Sequence, residues 1–201
     1  MAVDTYFSYL RMSMVQKKKS LLMFALLILF VQCVGCMSES QISFHRYKGL
    51  GDRAERTGDW TGAYDAYLHA AESAKVGYLG PAYESDALYN LGRMNRLLGK
   101  LDESEDVLKR CLEIDEKLRG ADGLQVGYTL VELAATYLAA KKHEEGVLLL
   151  ERLQPMIGQY NVKGQMRAFI KRMYVEYAKE LSARGMVQKT LQFEKVARSL
   201  D

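Results

Sequence analysis

The sequence predicts an all-α fold of three to four stacked helical hairpins, and three observations carry that prediction. One residue pattern recurs four times with constant internal offsets. No stretch alternates apolar and polar residues as a half-buried strand would. Only two prolines occur in 201 residues, so long uninterrupted helices are permitted nearly everywhere. The 49% hydrophobic and 26% charged residues give the balance of an ordinary globular chain.

The first copy of the pattern runs Tyr47-x-x-Leu50-Gly51-x-x-Ala54, a turn at Gly58-Asp59, then Ala63-x-x-x-Tyr67-x-x-Ala70. The second has Leu88, Leu91, Gly92 and Asn95, turns at Gly99-Lys100, and continues with Ser104, Leu108 and Cys111. The third has Leu130, Leu133, Ala134 and Tyr137, turns at Lys141-Lys142, and continues with Gly146, Leu150 and Leu153. A weaker fourth has Tyr174, Tyr177, Ala178 and Leu181, turns at Gly185-Met186, and ends with Thr190, Glu194 and Ala197. The turn always follows eight residues after Leu50, Leu91, Leu133 or Tyr177, and the small residue of the second helix five residues later. Residues three and four apart share a helix face, so each copy is an apolar stripe, a turn and a second stripe. Glycine inside a helix costs about 1 kcal/mol against alanine, so Gly51, Gly92 and Gly146 require close helix contact to offset them. Gly77 to Pro81 and Gly120 to Gly123 mark where the second helices of the first two copies stop.

These residues resemble the tetratricopeptide repeat, whose pattern is an apolar or aromatic residue, Leu-Gly, Tyr, then Ala, Phe and Ala. The resemblance covers about residues 44–200 and implies a right-handed α-α superhelix. Its copies are spaced 41, 42 and 44 residues apart, counted from Leu50 to Leu91 to Leu133 to Tyr177, against the usual 34. About two extra helical turns are therefore expected in each second helix or connector. The stretch Leu112 to Gly120 looks like the longer repeats of the kinesin light chain type. Glu194 stands where the family wants a large apolar residue, which leaves the fourth copy either a true repeat or a polar terminal cap.

Ahead of the repeats, Lys17, Lys18 and Lys19 precede the apolar run Leu21 to Val31, and small or thiol residues follow. That order is a secretory signal. At about 1.5 Å of rise per residue the run falls far short of a bilayer core of about 30 Å. Cys33-Val34-Gly35-Cys36 resembles the lipobox of bacterial lipoproteins, which implies acylation of Cys36; Val34 and Cys33 depart from its commonest residues. Residues 1–35 are accordingly expected to be a signal, with the true start at Met12 or Met14 if the first dozen residues are excluded. Residues 36–43 would form the lipidated N-terminus and a short linker, and residues 44–201 the solenoid. The open alternatives are an uncleaved anchoring helix and plain cleavage. Met37 lacks the aspartate of inner-membrane retention, so the resemblance favours the periplasmic face of the outer membrane. Cys111 is then left without a disulfide partner and reads as a small core residue.

By resemblance, the first helix of each hairpin lines a concave face that binds a segment of a partner protein. Counting along the motif, its candidates are Lys48, Asp52 and Glu55, then Tyr89, Asn90, Arg93 and Arg96. Tyr128, Val131, Ala135 and Leu138 follow, and then Val175 and Lys179. The groove would begin charged and become apolar toward its far end. Some family members clamp a terminal carboxylate. Lys48 and Asn90 match that set, but Asp52 and Glu132 would repel the ligand, and Tyr128 replaces a basic residue.

Arg11 and the three lysines concentrate the positive charge at the front and leave the rest near neutral, which argues against nucleic-acid binding. His45, His69 and His143 form no two-histidine helical metal motif, and no nucleophile-elbow or phosphate-loop spacing occurs. Lys142 to Glu145 reads as a solvated turn opening a helix. Asp102-Glu103 and Glu144-Glu145 open second helices, where negative charge suits the helix dipole. The expected function is a membrane-tethered, non-enzymatic adaptor without metal or cofactor that helps assemble an envelope complex. The alternative is a structural component that self-associates through an unfinished solenoid end.

Overall fold

The computed structural model describes residues 39–160 and 162–201, together with Lys19. The proposed signal and Cys36 lie outside these residues. Within them the chain forms eight helices and no strand. Helix α1 covers residues 39–57. It is followed by α2 (Trp60–Val76), α3 (Pro81–Leu97), α4 (Leu101–Arg119), α5 (Leu124–Ala139), α6 (His143–Ile157), α7 (Gly164–Ala183) and α8 (Val187–Ser199). Consecutive helices pair as hairpins and stack in chain order.

The four hairpin turns share one geometry, which explains the constant offset of eight residues. Gly58, Gly99 and Gly185 adopt positive φ at the first turn position, and Lys141 does so at the third hairpin with φ 58°. The following residue then donates its N–H five residues back: Asp59 to Ala54, Lys100 to Asn95, Lys142 to Tyr137, and Met186 to Leu181, at 2.8–3.0 Å. This ending satisfies carbonyls that a terminating helix leaves free. Asp59 also caps α2, its carboxylate accepting from Gly62 N–H at 2.9 Å. The predicted stops hold as well, with α2 ending at Val76 and α4 at Arg119.

Gly51, Gly92 and Gly146 sit where a side chain would collide. A Cβ on Gly51 would lie 2.6 Å from the Tyr67 ring, and one on Gly92 would lie 2.5 Å from Leu108. At Gly146 it would strike the hydroxyl of Tyr177. That tyrosine reaches from α7 past Gly146 and donates to Ala134 O in α5 at 2.7 Å. Tyr174, one turn earlier, donates to Leu150 O at 2.6 Å. Two buried tyrosines thus stand between the third and fourth hairpins, their hydroxyls spent on backbone carbonyls. They join the largest core cluster, which runs through α5, α6, α7 and α8.

Two expectations need correction. The extra length does not fall on second helices and connectors alone. Helix α3 starts at Pro81, α5 at Leu124 and α7 at Gly164, each well before its motif. Residues 39–43, expected as linker, are already helical, and Gln41 Nε2 donates to the Tyr83 hydroxyl at 2.6 Å. The fourth copy is a complete hairpin with the common turn. Its Glu194 is half-buried beside a cleft between α7 and α8, 3.6 Å from Arg198.

Candidate functional site

Helices α1, α3 and α5 bring their charged residues together as a ladder. Lys48 lies 3.5 Å from Asp52 and 3.9 Å from Asp86. The Tyr67 hydroxyl is 2.8 Å from both Asp52 Oδ1 and Glu55 Oε1, and donates to one at a time. Glu55 takes a two-pronged bond from Arg93 at 2.9 and 3.0 Å, the geometry a guanidinium fork favours. Arg93 also reaches Glu132 Oε1 at 3.4 Å, and Arg96 grips Glu132 Oε2 at 2.9 and 3.2 Å. The Glu132 side chain is only 4% exposed, so its charge is tolerable because two arginines face it. Read singly, Asp52 and Glu132 are repulsive to an anion; in the fold both are neutralised by neighbours.

Beyond the ladder the face opens into a trough of about 680 Å³ between α3, α5 and the start of α7. Tyr89, Arg96 and Tyr128 line one part of it, and Met166, Phe169 and Arg172 the other. The guanidinium groups of Arg96 and Arg172 lie 5.7 and 5.1 Å from the centre of the Phe169 ring, within cation–π reach. Arg172 is exposed and makes no ion pair among the described residues. Burial pushes the Tyr89 hydroxyl well above the ordinary tyrosine range, with the Glu132 charge adding to it. That hydroxyl has no hydrogen-bond partner among the described residues.

Not every sequence candidate belongs to this surface. Lys48, Asp52, Glu55, Arg93 and Arg96 belong to the ladder, and Tyr89 and Tyr128 line the trough. Val131 is fully buried in the core and offers the groove nothing, while Ala135 is 6% exposed. Asn90 is buried and fixes its neighbours, donating to Asp86 O at 2.9 Å and accepting from Arg93 at 3.0 Å. Leu138 is half-buried against the main core. Val175 and Lys179 lie elsewhere, in a terminal cleft between α7 and α8 of about 740 Å³. Lys179 is there paired with Glu176 at 2.8 Å.

Conversely, Met166, Phe169 and Arg172 were not among the candidates, because they precede the fourth motif on the leading turns of α7. The long 44-residue interval was the one signal that could have found them. His143 also differs from expectation: its side chain is only 13% exposed and lies 3.7 Å from Glu180. Among the described residues no group of three His, Cys, Asp or Glu side chains is placed to hold a metal ion, and no helix is long and apolar enough to cross a membrane.

A family model described as Tetratricopeptide repeat matches residues 46–117 and 83–156. No curated protein matches the chain. Among solved structures, BtubC (BKLC) from P. vanneervenii is similar, with a TM-score of 0.70 at 19% identity. The similarity covers 80% of this chain, which spans 64% of that protein's length. A kinesin light chain structure from P. anserina, described as having nearly identical TPR-like repeats, has a TM-score of 0.56 at 15% identity. It covers 80% of this chain and 95% of its own. At these identities the likeness is one of fold.

Proposed function

Because the chain belongs to the tetratricopeptide repeat family, we propose that it is a non-enzymatic adaptor that holds a partner protein in the trough between α3, α5 and α7. The observation that carries this reading is the contrast within the concave face. The ladder charges are paired, whereas Arg172 makes no ion pair among the described residues and lies beside the aromatic surfaces of Tyr128 and Phe169. A polar segment with one carboxylate and an apolar anchor complements that trough: the carboxylate meets Arg172, and the anchor covers Phe169 and Met166. Burying an anchor of leucine size contributes about 2 kcal/mol, and a charge-assisted pair to arginine adds direction. Affinity then rests on a few residues, as interfaces commonly do.

The adaptor is membrane-tethered in this proposal. The lipobox resemblance at Cys36 supports acylation there. Stable attachment takes more than one lipid chain, since each buried methylene contributes about 0.8 kcal/mol. In an envelope setting the tether keeps the trough near a membrane-bound assembly, and assisting that assembly is the proposed role.

Affinity capture from a detergent extract tests the binding reading, using the full chain beside Phe169→Ala and Arg172→Glu variants. One stoichiometric partner, retained by the native chain and lost by both variants at unchanged melting temperature, is the expected result. Capture indifferent to both substitutions contradicts the trough as the site. Mass spectrometry of the mature N-terminus tests the tether, and an unmodified start before Cys36 contradicts it.

A further inference from the structure

The last hairpin differs from the rest of the molecule in charge. Residues 163–201 carry nine lysines and arginines against four acidic residues, whereas residues 39–162 carry 15 against 20. Neighbours meet part of that excess. Lys189 pairs with Glu151 of α6 at 2.8 Å, and Arg184 lies 3.9 Å from Glu144. Arg167 donates to the carbonyls that end α8, reaching Leu200 O at 3.1 Å. Lys195 is exposed and makes no ion pair among the described residues.

The same helix leaves an apolar stripe in water. Phe193, Val196 and Ala197 pack into the main core, while Val187 and Leu191, one turn apart, are 61% and 52% exposed. Lys195 continues that stripe a turn later. Leu191 and Lys195 together border a cleft of about 920 Å³ against the end of α6, and neither lines the trough.

We propose that this stripe of α8 docks on an anionic lipid surface, with Val187 and Leu191 entering the headgroup region and Lys195 meeting the negative charge. A basic helix with a narrow apolar stripe is the pattern of an interfacial helix. Most of the nine cations are tied to neighbours, so the hairpin offers a diffuse positive field. Such a field suits a fluid array of headgroups better than a protein carboxylate at one fixed place. The proposal rests on the tethered reading for proximity alone. A chain already held at a membrane meets it at high effective concentration, so two apolar side chains and one lysine suffice. The tether precedes α1 and the contact lies on α8, which attaches the stack at both ends.

The test uses the full chain in phosphatidylcholine vesicles made with or without phosphatidylglycerol. Leu191→Trp in a Trp60→Phe background leaves one tryptophan, read by quenching from lipids brominated along their acyl chains. Quenching is expected with phosphatidylglycerol and should fade without it or at high salt. One lysine near an anionic surface shifts the equilibrium about fivefold. Lys195→Gln should lower the docked-to-free ratio by that factor, and Lys195→Glu by more, at unchanged melting temperature. Should the tryptophan exchange unfold the chain, a photo-crosslinking side chain at position 191 gives the same readout as lipid adducts. Equal quenching in both vesicles, none in either, or indifference to Lys195→Glu overturns the proposal. So does a protein adduct at position 191, which would assign the stripe to an acidic protein. Both readouts are local to α8, so their failure leaves acylation of Cys36 and capture through Phe169 standing.

Discussion

At the scale of single residues, the third and fourth hairpins are joined by two replacements and a backbone carbonyl that make sense only together. Tyr177 replaces the leucine that opens the pair in the other copies, Gly146 replaces the small residue with a side chain, and the Ala134 carbonyl accepts the tyrosine hydroxyl. Gly146→Ala alone is expected to destabilise by about 1–3 kcal/mol through overpacking. Tyr177→Leu alone should cost a similar amount, because it removes a buried hydrogen bond and opens a cavity. The double variant should cost about 1 kcal/mol less than the sum, a coupling that thermal or urea unfolding of all four proteins measures. Strict additivity would mean the two residues do not interact. Cys111 lies in a buried polar cluster with its thiol pushed up to about 12, mainly by burial and further by the Asp115 charge. A thiol reagent should therefore leave it unmodified in the native protein and react on unfolding; rapid native labelling contradicts that burial.

At the scale of elements, the turns show how far a linear pattern specifies structure. The offsets of eight and five residues translate into one repeated helix ending, and the glycine positions into close helix approaches. Both are local consequences of helix periodicity, which is why they were legible. The third hairpin uses Lys141 where the three others use glycine, with φ 58°. Lys141→Gly, at an exposed site, should therefore stabilise by about 0.5–1 kcal/mol, raising the melting temperature. Between elements, Glu105 of α4 bonds Lys142 at the start of α6 at 2.6 Å and Lys109 at 2.6 Å. Burial alone would raise the Glu105 carboxyl, but the two ammonium groups together hold it down at about 2, below its ordinary 4.5. A depressed carboxylate adds stability above its unfolded value and loses it as pH falls toward the folded one. Native stability should thus decline between pH 4.5 and 2 more steeply than that of Glu105→Gln, as urea melts across that range will record. Equal slopes contradict the assignment. What the sequence could not disclose is relative placement across elements. Nothing in a 3.6-residue period says that Val131 turns inward, that Glu132 meets Arg93 and Arg96, or that the leading turns of α7 wall the groove with Phe169 and Arg172.

At the scale of the whole molecule, four hairpins give a chain with two different ends and one proposed partner-binding face. The α7–α8 end, where another hairpin would stack, carries the ion pairs Lys171–Asp201, Lys179–Glu176 and Arg198–Glu194 around its cleft. Those charges suit a terminal cap, which must present a polar face to water. Sedimentation of the full chain in density-matched detergent should accordingly find a monomer, and a concentration-dependent oligomer would favour self-association instead. The proposed partner-binding face is the trough between α3, α5 and α7, and the account stands or falls on it. A photo-crosslinking side chain placed at Phe169, compared in cells with one at exposed Leu191 on α8, tests it most directly. The account predicts a single discrete adduct from position 169 that Arg172→Glu removes, with none from position 191. The same adduct from position 191, or none from 169, would contradict it.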